Sequence, residues 1–423
     1  MRKRKKYTPH TIASKDFLWY TTIDPKNPHT LYFIFFFTKV LRSFFKSDRL
    51  PLVPPSYPIY KGVPNMPDVF AMEANRAACR IAEVRRADSL VFPLFTDPHT
   101  HTLSENGIES LFAALASIAD SIEPDGVIAL GDNPAMLGRE RHASNDEIAA
   151  VIRGILDRCA ATFACPVYPV NGNHDGVGTD FFKPALWYAI SRGFDRNTAV
   201  REGESAYYYV DFPGVRMVCL SLPSDSELAA AHPSPIWAYG TAQLRWLAHV
   251  ALDCDCPVLL VMHVPFFYEY RGERVSMLGT WNGTRATEST IAALCGWIAD
   301  RDTAEGIFTA FRNHTAYDDA AAGIHMRPSG KHACLIAALS GHMHSDSFWL
   351  PGEERITGDA DSGGTNTLPC AQFVTAASDP ALNPELRGHA TVPATLDIAV
   401  VTPSAREITL VRYGDGPDRT WHW

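Results

Sequence analysis

Apolar runs and amphipathic segments alternate along most of this chain. The runs SLVFPLF (89–95), GVIAL (126–130) and CPVYPV (165–170) read as strands, and each is followed by a segment with helical periodicity. Strands that are apolar throughout are typical of a sheet covered on both faces by other layers. This order predicts an α/β domain, which we expect to open with a helix over residues 68–86.

The second half of the chain predicts a further sheet. Residues 206–222 read as a β-hairpin that turns at Pro213 and Gly214, and a helix (240–252) and a strand (257–262) follow it. A long irregular section, with a helix near 288–300, leads to the apolar strand ACLIAAL (333–339). The tail, ATLDIAVVTPSAREITLVRYG (394–414), predicts two strands around a polar turn, so that C-terminal strands complete the second sheet.

Residues 1–67 differ from the rest and predict a basic, aromatic extension followed by a Pro-rich linker, with the main domain over 68–423. The first 49 residues hold eleven Lys or Arg against three Asp. The apolar run LYFIFFF (31–37) is too short to span a bilayer and too late for a clean signal peptide. Three interpretations stay open: a loosely ordered or packing arm, a surface anchor for membranes or nucleic acid, and a start codon placed upstream of the physiological one.

Composition narrows the class of protein. With 46% hydrophobic and 20% charged residues, the 423-residue chain is long enough to bury a large globular core. Its net charge of −9 argues against a general binder of nucleic acid or anionic membranes. Nine scattered cysteines without a CxxC pair favour reduced thiols in the cytoplasm.

Residues that bind cations follow the apolar strands. In open α/β sheets, ligands bind beyond the carboxyl ends of the strands, so these side chains are expected to converge. His342 and His344 are two residues apart at the end of one strand, a spacing that aims both rings the same way. The candidate ligands are Asp97, His99, Asp132, Asn173, His263, His342 and His344.

The kinds of ligand indicate the kind of metal. Carboxylate, amide and imidazole groups without a thiolate suit Mn, Fe, Zn or Co. Seven ligands are too many for one ion once water is added, whereas two divalent or trivalent ions that share a carboxylate account for them. An acidic protein that handles phosphate also needs such cations, because its own charge repels phosphate esters.

The motifs D-x-H, G-D, G-N-H-D, a lone H and G-H-x-H occur in that order over about residues 88–350. Together they resemble the signature of the calcineurin-like metallophosphoesterase superfamily. The closing TLVRYGDGPDR (409–419) is similar to tails of uncharacterised bacterial members. The resemblance implies a four-layer α/β/β/α fold, in which helices flank a two-sheet β-sandwich.

The resemblance also implies roles. Asp97, His99 and His344 would bind the first metal, and Asn173, His263 and His342 the second. Asp132 would bridge the two ions, and a bridging hydroxide would attack phosphorus in a phosphomonoester or phosphodiester. His174 would act as the acid or stabilise the transition state. The implied activity is that of a dinuclear metal-dependent phosphoric ester hydrolase, either a phosphatase or a phosphodiesterase.

This chain departs from the family pattern in two places. The second motif reads GDNPAM, without the distal carboxylate that braces the loop in many relatives, and no tyrosine follows Asp132. The missing tyrosine speaks against the iron centre of purple acid phosphatases. GNHD rather than GNHE favours the nuclease, diesterase and small-molecule branches over protein phosphatases. Two alternatives stay open: a nuclease that uses the basic N-terminal arm, and a non-catalytic metal-binding scaffold.

Several side chains in and near the long interval after the strand 257–262 are candidates for contacts with the substrate. The long interval 264–333 is typical of a lid or binding loop, and the substrate is expected to be a small phosphoester, with nucleotides among the candidates. Each candidate also has an ordinary explanation as a solvated or core-packing side chain. Asp175 would either orient the His174 ring or cap the next loop. The candidate substrate contacts are His101, Tyr268, Arg271, Arg274 and Trp281.

Overall fold

The described part of the chain covers most of the residues after position 65. In the computed structural model it comprises residues 66–100, 105–134, 144–175, 184–221, 239–266, 268–270, 273–275, 300–327, 330–352, 365–366, 368–383, 386 and 388–423. The predicted N-terminal extension lies outside these residues up to position 65, so it stays a prediction.

The helices follow the amphipathic segments of the sequence. The third helix begins at a capping box, in which Ser144 accepts a hydrogen bond from the Glu147 amide at 3.3 Å. Among the described residues, no helix is both long and apolar enough to cross a bilayer. The helices are α1 (Met66–Val84), α2 (Glu105–Ala119), α3 (Asn145–Phe163), α4 (Pro184–Ser191), α5 (Gly240–Trp246, extended by a π turn at Leu247–Ala251) and α6 (Arg301–Asn313).

The strands are short to medium in length, and several are buried over their whole length. They are β1 (Leu90–Phe95), β2 (Val127–Ala129), β3 (Val167–Pro169), β4 (Tyr208–Phe212), β5 (Val215–Cys219), β6 (Pro257–Val261), β7 (Tyr268–Tyr270), β8 (Glu273–Val275), β9 (Tyr317–Asp319), β10 (Ile324–Met326), β11 (Cys334–Ser340), β12 (Ser347–Trp349), β13 (Thr365–Asn366), β14 (Ala371–Val374), β15 (Leu396–Thr402), β16 (Glu407–Tyr413) and β17 (Arg419–His422).

Two six-stranded mixed sheets form the centre of the fold. The first has the order β17-β16-β15-β1-β2-β3, in which β1, β2 and β3 are parallel and the C-terminal strands are antiparallel. The second has the order β12-β14-β11-β6-β5-β4, with a parallel centre of β14, β11, β6 and β5. The C-terminal strands therefore complete the first sheet rather than the second, contrary to the expectation, because β15 pairs with β1.

The two sheets pack face to face over one apolar core. That core joins side chains such as Phe92 and Ile128 of the first sheet to Leu259 and Phe373 of the second. Helices α1 and α3 contact the outer face of the first sheet, while α5 and α6 cover the second. The predicted fold class, a two-sheet α/β sandwich flanked by helices, is confirmed.

Several differences from the predicted elements fall in the long interval after β6. The helix expected near 288–300 lies outside the described residues up to position 299. The structure has α6 from Arg301 and a hairpin of β9 and β10, which the sequence reading did not predict. Phe266, near the start of this interval, is fully buried against Tyr239 and Phe308 and belongs to the core.

Candidate metal centre

The candidate ligands meet at one edge of the sandwich. Five loops carry these ligands. Three of the loops follow the parallel strands β1, β2 and β3 of the first sheet, and two follow β6 and β11 of the second. Because the carboxyl ends of these strands point to the same edge, residues from distant parts of the sequence lie side by side. The structure brings together all seven of them: Asp97, His99, Asp132, Asn173, His263, His342 and His344.

The first set of atoms comes from Asp97, His99 and His344. The Nε2 atoms of His99 and His344 are 2.9 Å apart. Oδ1 of Asp97 lies 3.4 Å from Nε2 of His99 and 3.3 Å from Nε2 of His344. The three atoms therefore form a nearly equilateral triangle of potential ligands.

The second set comes from Asn173, His263 and His342. Oδ1 of Asn173 lies 3.1 Å from Nε2 of His263 and 2.8 Å from Nδ1 of His342. The other nitrogen of His263 lies 2.7 Å from the carbonyl oxygen of Leu130, which fixes the orientation of the ring.

Asp132 lies between the two sets. Its Oδ2 atom is 3.2 Å from Nε2 of His263 in the second set and 3.8 Å from Nε2 of His99 in the first. The other oxygen, Oδ1, accepts a hydrogen bond from the backbone N–H of His174 at 2.6 Å. A single carboxylate oxygen thus faces both sets of ligands.

These spacings fit metal ions. Ligands at about 2.1 Å from a metal are separated by about 3.0 Å in octahedral and 3.4 Å in tetrahedral geometry. The separations within each set lie close to that range. Oδ1 of Asp97 is fully buried and accepts no hydrogen bond of good geometry from the described residues, although three imidazoles surround it. Burying such a charged oxygen costs free energy unless a cation binds it.

The charges within the site keep its carboxylates ionised. Burial raises the pKa of Asp97, but His263 and His344 outweigh this and hold it well below its usual range. The pKa of Asp132 is likewise lowered, because the attraction of His263 and His174 exceeds the effect of burial. Negative charge is therefore available to a cation at neutral pH.

The imidazoles of His263 and His342 have pKa values shifted in opposite directions. Burial favours the neutral ring of His263, but the carboxylates of Asp132 and Asp97 raise its pKa to about 9. For His342 burial dominates and lowers the pKa to about 3. Metal binding would consequently displace a proton from His263 but not from His342.

The backbone at the site is held in an uncommon conformation. Of the ten non-glycine residues with positive φ in the described part of the chain, five are candidate ligands. Residues other than glycine rarely adopt this conformation, and where they do, the surrounding structure must hold them there. The five are Asp97 (φ 49°), His99 (41°), Asp132 (55°), His342 (71°) and His344 (59°).

Asp175 braces the loop that carries Asp132. Its carboxylate accepts backbone hydrogen bonds from Asp132 at 3.0 Å, Asn133 at 3.0 Å and Gly172 at 2.6 Å. It therefore supports the loop next to the candidate ligands, and backbone amides, rather than the His174 ring, donate to its two oxygens. Asn133 contributes to the brace, since its side-chain amide also donates to Asp175 at 3.2 Å.

His174 lies at the accessible side of the centre. About a quarter of its side chain is exposed, and its Nε2 atom is 4.0 Å from Oδ2 of Asp132. The ring packs edge-on against His99, with ring centres 4.8 Å apart. Burial lowers the pKa of His174 to about 4, so the ring is neutral near pH 7.

None of the five candidate substrate contacts has a side chain in the described part of the chain. His101, Arg271 and Trp281 lie outside the described residues, while Tyr268 and Arg274 fall in β7 and β8 with side chains outside the described part. Their proposed roles stay predictions.

No protein-family model matches the sequence, and no curated protein matches it. Among solved structures, the chain is similar to a dimetal phosphatase from Danio rerio, with 14% identity over 78% of this chain and 98% of that chain and a TM-score of 0.43. At that score the likeness supports no argument about this chain.

Proposed function

We propose that this protein is a metal-dependent phosphoesterase with a dinuclear centre. The observation that supports the proposal best is the pair of ligand sets that share Asp132 at the edge of the two sheets. The order of motifs, which resembles the calcineurin-like metallophosphoesterases, points to the same chemistry. Asp97, His99 and His344 would hold one ion, Asn173, His263 and His342 the other, and Asp132 both.

Two bound ions would supply Lewis-acid stabilisation of phosphoryl oxygens and a coordinated water of lowered pKa. Manganese, iron, zinc and cobalt all suit this set of nitrogen and oxygen ligands. The chain contributes the fixed geometry, because hydrogen bonds and packed strand ends hold each ligand in place before the substrate arrives. A phosphomonoester or phosphodiester would bind at the exposed side, beside His174.

His174 is the group that we assign to the leaving oxygen. Its ring borders the shared carboxylate without belonging to either ligand set in our assignment. Because the ring is neutral near pH 7, it carries one N–H, which can donate a hydrogen bond to the charge that develops on the leaving oxygen. This assignment favours transition-state stabilisation over donation of a proton from an imidazolium.

Hydrolysis of p-nitrophenyl phosphate and bis-p-nitrophenyl phosphate, with and without Mn²⁺, tests the proposal. We expect turnover of at least one ester that a chelator abolishes and Mn²⁺ restores. His174→Ala should keep Mn²⁺ binding and lose most turnover, and His332→Ala, at an exposed histidine, is the matched control. Mn²⁺ binding without hydrolysis of any phosphoester would favour the non-catalytic scaffold instead.

The nuclease alternative depends on the basic N-terminal segment and is separated by a different measurement. A nuclease should bind DNA or RNA in a salt-dependent manner and lose that binding when residues 1–49 are removed. Hydrolysis of small esters that is independent of those residues would favour the phosphoesterase.

A further inference from the structure

Four charged side chains lie buried behind the first ligand set. We call them the C-terminal charge cluster: Asp346, Asp397, Arg412 and Arg419. The side chains of Asp397 and Arg412 are fully buried, that of Arg419 is 2% exposed and that of Asp346 is 12% exposed. Charges are rarely buried to this extent unless they are paired, and here two carboxylates face two guanidinium groups.

Each side chain of the cluster contacts both side chains of opposite charge. Arg412 pairs with Asp346 and, at 3.3 Å, with Asp397. Arg419 pairs with Asp397 and, at 3.3 Å, with Asp346. Thr375 donates a further hydrogen bond to Asp397 at 2.8 Å. The cluster is thus electrically neutral and connected throughout.

The cluster joins the C-terminal strands to the loop that carries His344. Asp397, Arg412 and Arg419 belong to β15, β16 and β17 of the first sheet, whereas Asp346 follows β11 of the second sheet, two residues after His344. The strands β15–β17 contain none of the seven candidate ligands, so a direct role in holding metal does not explain why charges are buried there.

Backbone hydrogen bonds continue from the cluster to the ligands. Asp346 accepts a hydrogen bond from the N–H of Ala376 at 3.2 Å, and the next amide, that of Ala377, donates to the carbonyl of His344 at 3.4 Å. Ser378 then donates to the carbonyl of Thr96 through both its amide and its hydroxyl, at 3.0 and 2.8 Å. Thr96 precedes Asp97 and donates to its Oδ2 atom at 2.6 Å.

We propose that the C-terminal charge cluster positions His344, and through it sets the affinity of the first of the two metal positions. Asp346 is the residue that transmits the effect, because it is held by both arginines and shares a tight loop with His344. The inference rests on the proposed dinuclear centre and assigns to it a group of buried residues outside the seven candidate ligands. The second set of ligands, on Asn173, His263 and His342, should be much less sensitive.

Mn²⁺ titration of the full-length protein tests this inference, by calorimetry and by electron paramagnetic resonance of the bound ions. Asp346→Asn keeps the shape of the side chain and removes its charge. We expect one Mn²⁺ to bind about 10–100-fold more weakly, the range found for residues that orient metal ligands, and the other to change little. Asp195→Asn is the control, because Asp195 forms a buried pair with Arg201 at 3.1 Å in another part of the fold.

A double-mutant cycle separates positioning from a general loss of stability. If Asp346 acts through His344, then Asp346→Asn should add little to the loss of Mn²⁺ affinity that His344→Ala already causes. If Asp346→Asn does not fold, Arg419→Lys takes its place, since it keeps the charge but loses the planar fork that contacts both carboxylates. The same selective weakening is then expected.

The outcomes are distinct. Selective loss of one ion, with little further effect in the double variant, supports the inference. Unchanged Mn²⁺ affinities in a folded Asp346→Asn or Arg419→Lys protein, or equal weakening of both ions, would overturn it while leaving the dinuclear centre intact. A wild-type protein that binds no Mn²⁺, Zn²⁺ or Fe²⁺ would instead refute the proposed function itself.

Discussion

Replacing Gly172 by alanine should damage the centre without changing any candidate ligand. A Cβ atom at this position would lie 2.1 Å from Oδ1 and 2.4 Å from the backbone nitrogen of Asp132. Ordinary contact begins at 3.4 Å, so the Asp132 carboxylate must retreat by about 1.3 Å, or the 171–174 loop must move by a similar amount. Either shift separates the shared carboxylate from Asn173 and His174.

The size of the effect follows from that displacement. A misplacement of about 1 Å at a reacting centre can reduce the rate by about 100-fold, which corresponds to about 2.7 kcal/mol of transition-state stabilisation. The added methyl group should also lower the free energy of unfolding by about 1–3 kcal/mol through overpacking. The backbone itself does not oppose alanine, because Gly172 is absent from the glycines with positive φ.

The assay compares kcat/KM for a chromogenic phosphoester, Mn²⁺ affinity and urea unfolding in Gly172→Ala and Gly154→Ala. Gly154 is exposed within α3, and a Cβ atom there meets nothing within 4 Å. That control should keep activity and gain stability by about 0.5–1 kcal/mol. Gly172→Ala with wild-type kcat/KM and Mn²⁺ affinity would refute the close packing that we assign to the two loops.

Three further predictions concern single side chains and pH. Asp132→Ala should abolish both Mn²⁺ binding and turnover, and normal binding in the variant would contradict its shared position. His174→Ala should lower kcat by about 10²–10⁴-fold at saturating Mn²⁺, measured by ester hydrolysis, whereas full activity would remove its assigned role. Burial raises the pKa of Asp397, but Arg412 and Arg419 outweigh burial and hold this pKa below its usual value. The ionised carboxylate therefore stabilises the folded protein above about pH 4, and this contribution is lost as the pH falls through the lowered pKa. Urea unfolding between pH 2 and 6 should therefore show a shallower acid dependence in Asp397→Asn; an unchanged pH profile would refute that linkage.

Much of the fold could be predicted because its central strands are apolar throughout. Runs such as SLVFPLF and ACLIAAL are buried on both faces, and each becomes the strand that the pattern indicates. Other short strands lack this signal. The segments that form β12, β14 and β17 are three or four residues long and each contains a polar residue, so no periodicity distinguishes them from loops, whereas the equally short β2 and β3 lie within the apolar runs GVIAL and CPVYPV.

The placement of the C-terminal strands needed information that the pattern does not carry. Residues 394–414 form the two strands that the pattern predicts, but the choice of neighbour depends on long-range pairing with β1. For the same reason the pattern does not predict the C-terminal charge cluster. One signal was present: Asp397 and Arg412 interrupt otherwise apolar strands, which suggests buried partners, although it does not identify them.

The meeting of the candidate ligands could be anticipated, since each follows a strand that ends at the same edge. The sequence does not show which hydrogen bonds hold the loops that carry these ligands. The expectation for Asp175 left open whether it orients the His174 ring, whereas the structure places its carboxylate on three backbone amides. Such a contact depends on the path of two loops, and the identity of one residue does not determine it.

Anomalous diffraction from crystals grown with Mn²⁺ tests the central claim most directly. We predict two peaks about 3.5–4 Å apart, one among Asp97, His99 and His344 and the other among Asn173, His263 and His342, with Asp132 next to both. A single peak, or two peaks away from these side chains, would contradict the dinuclear centre.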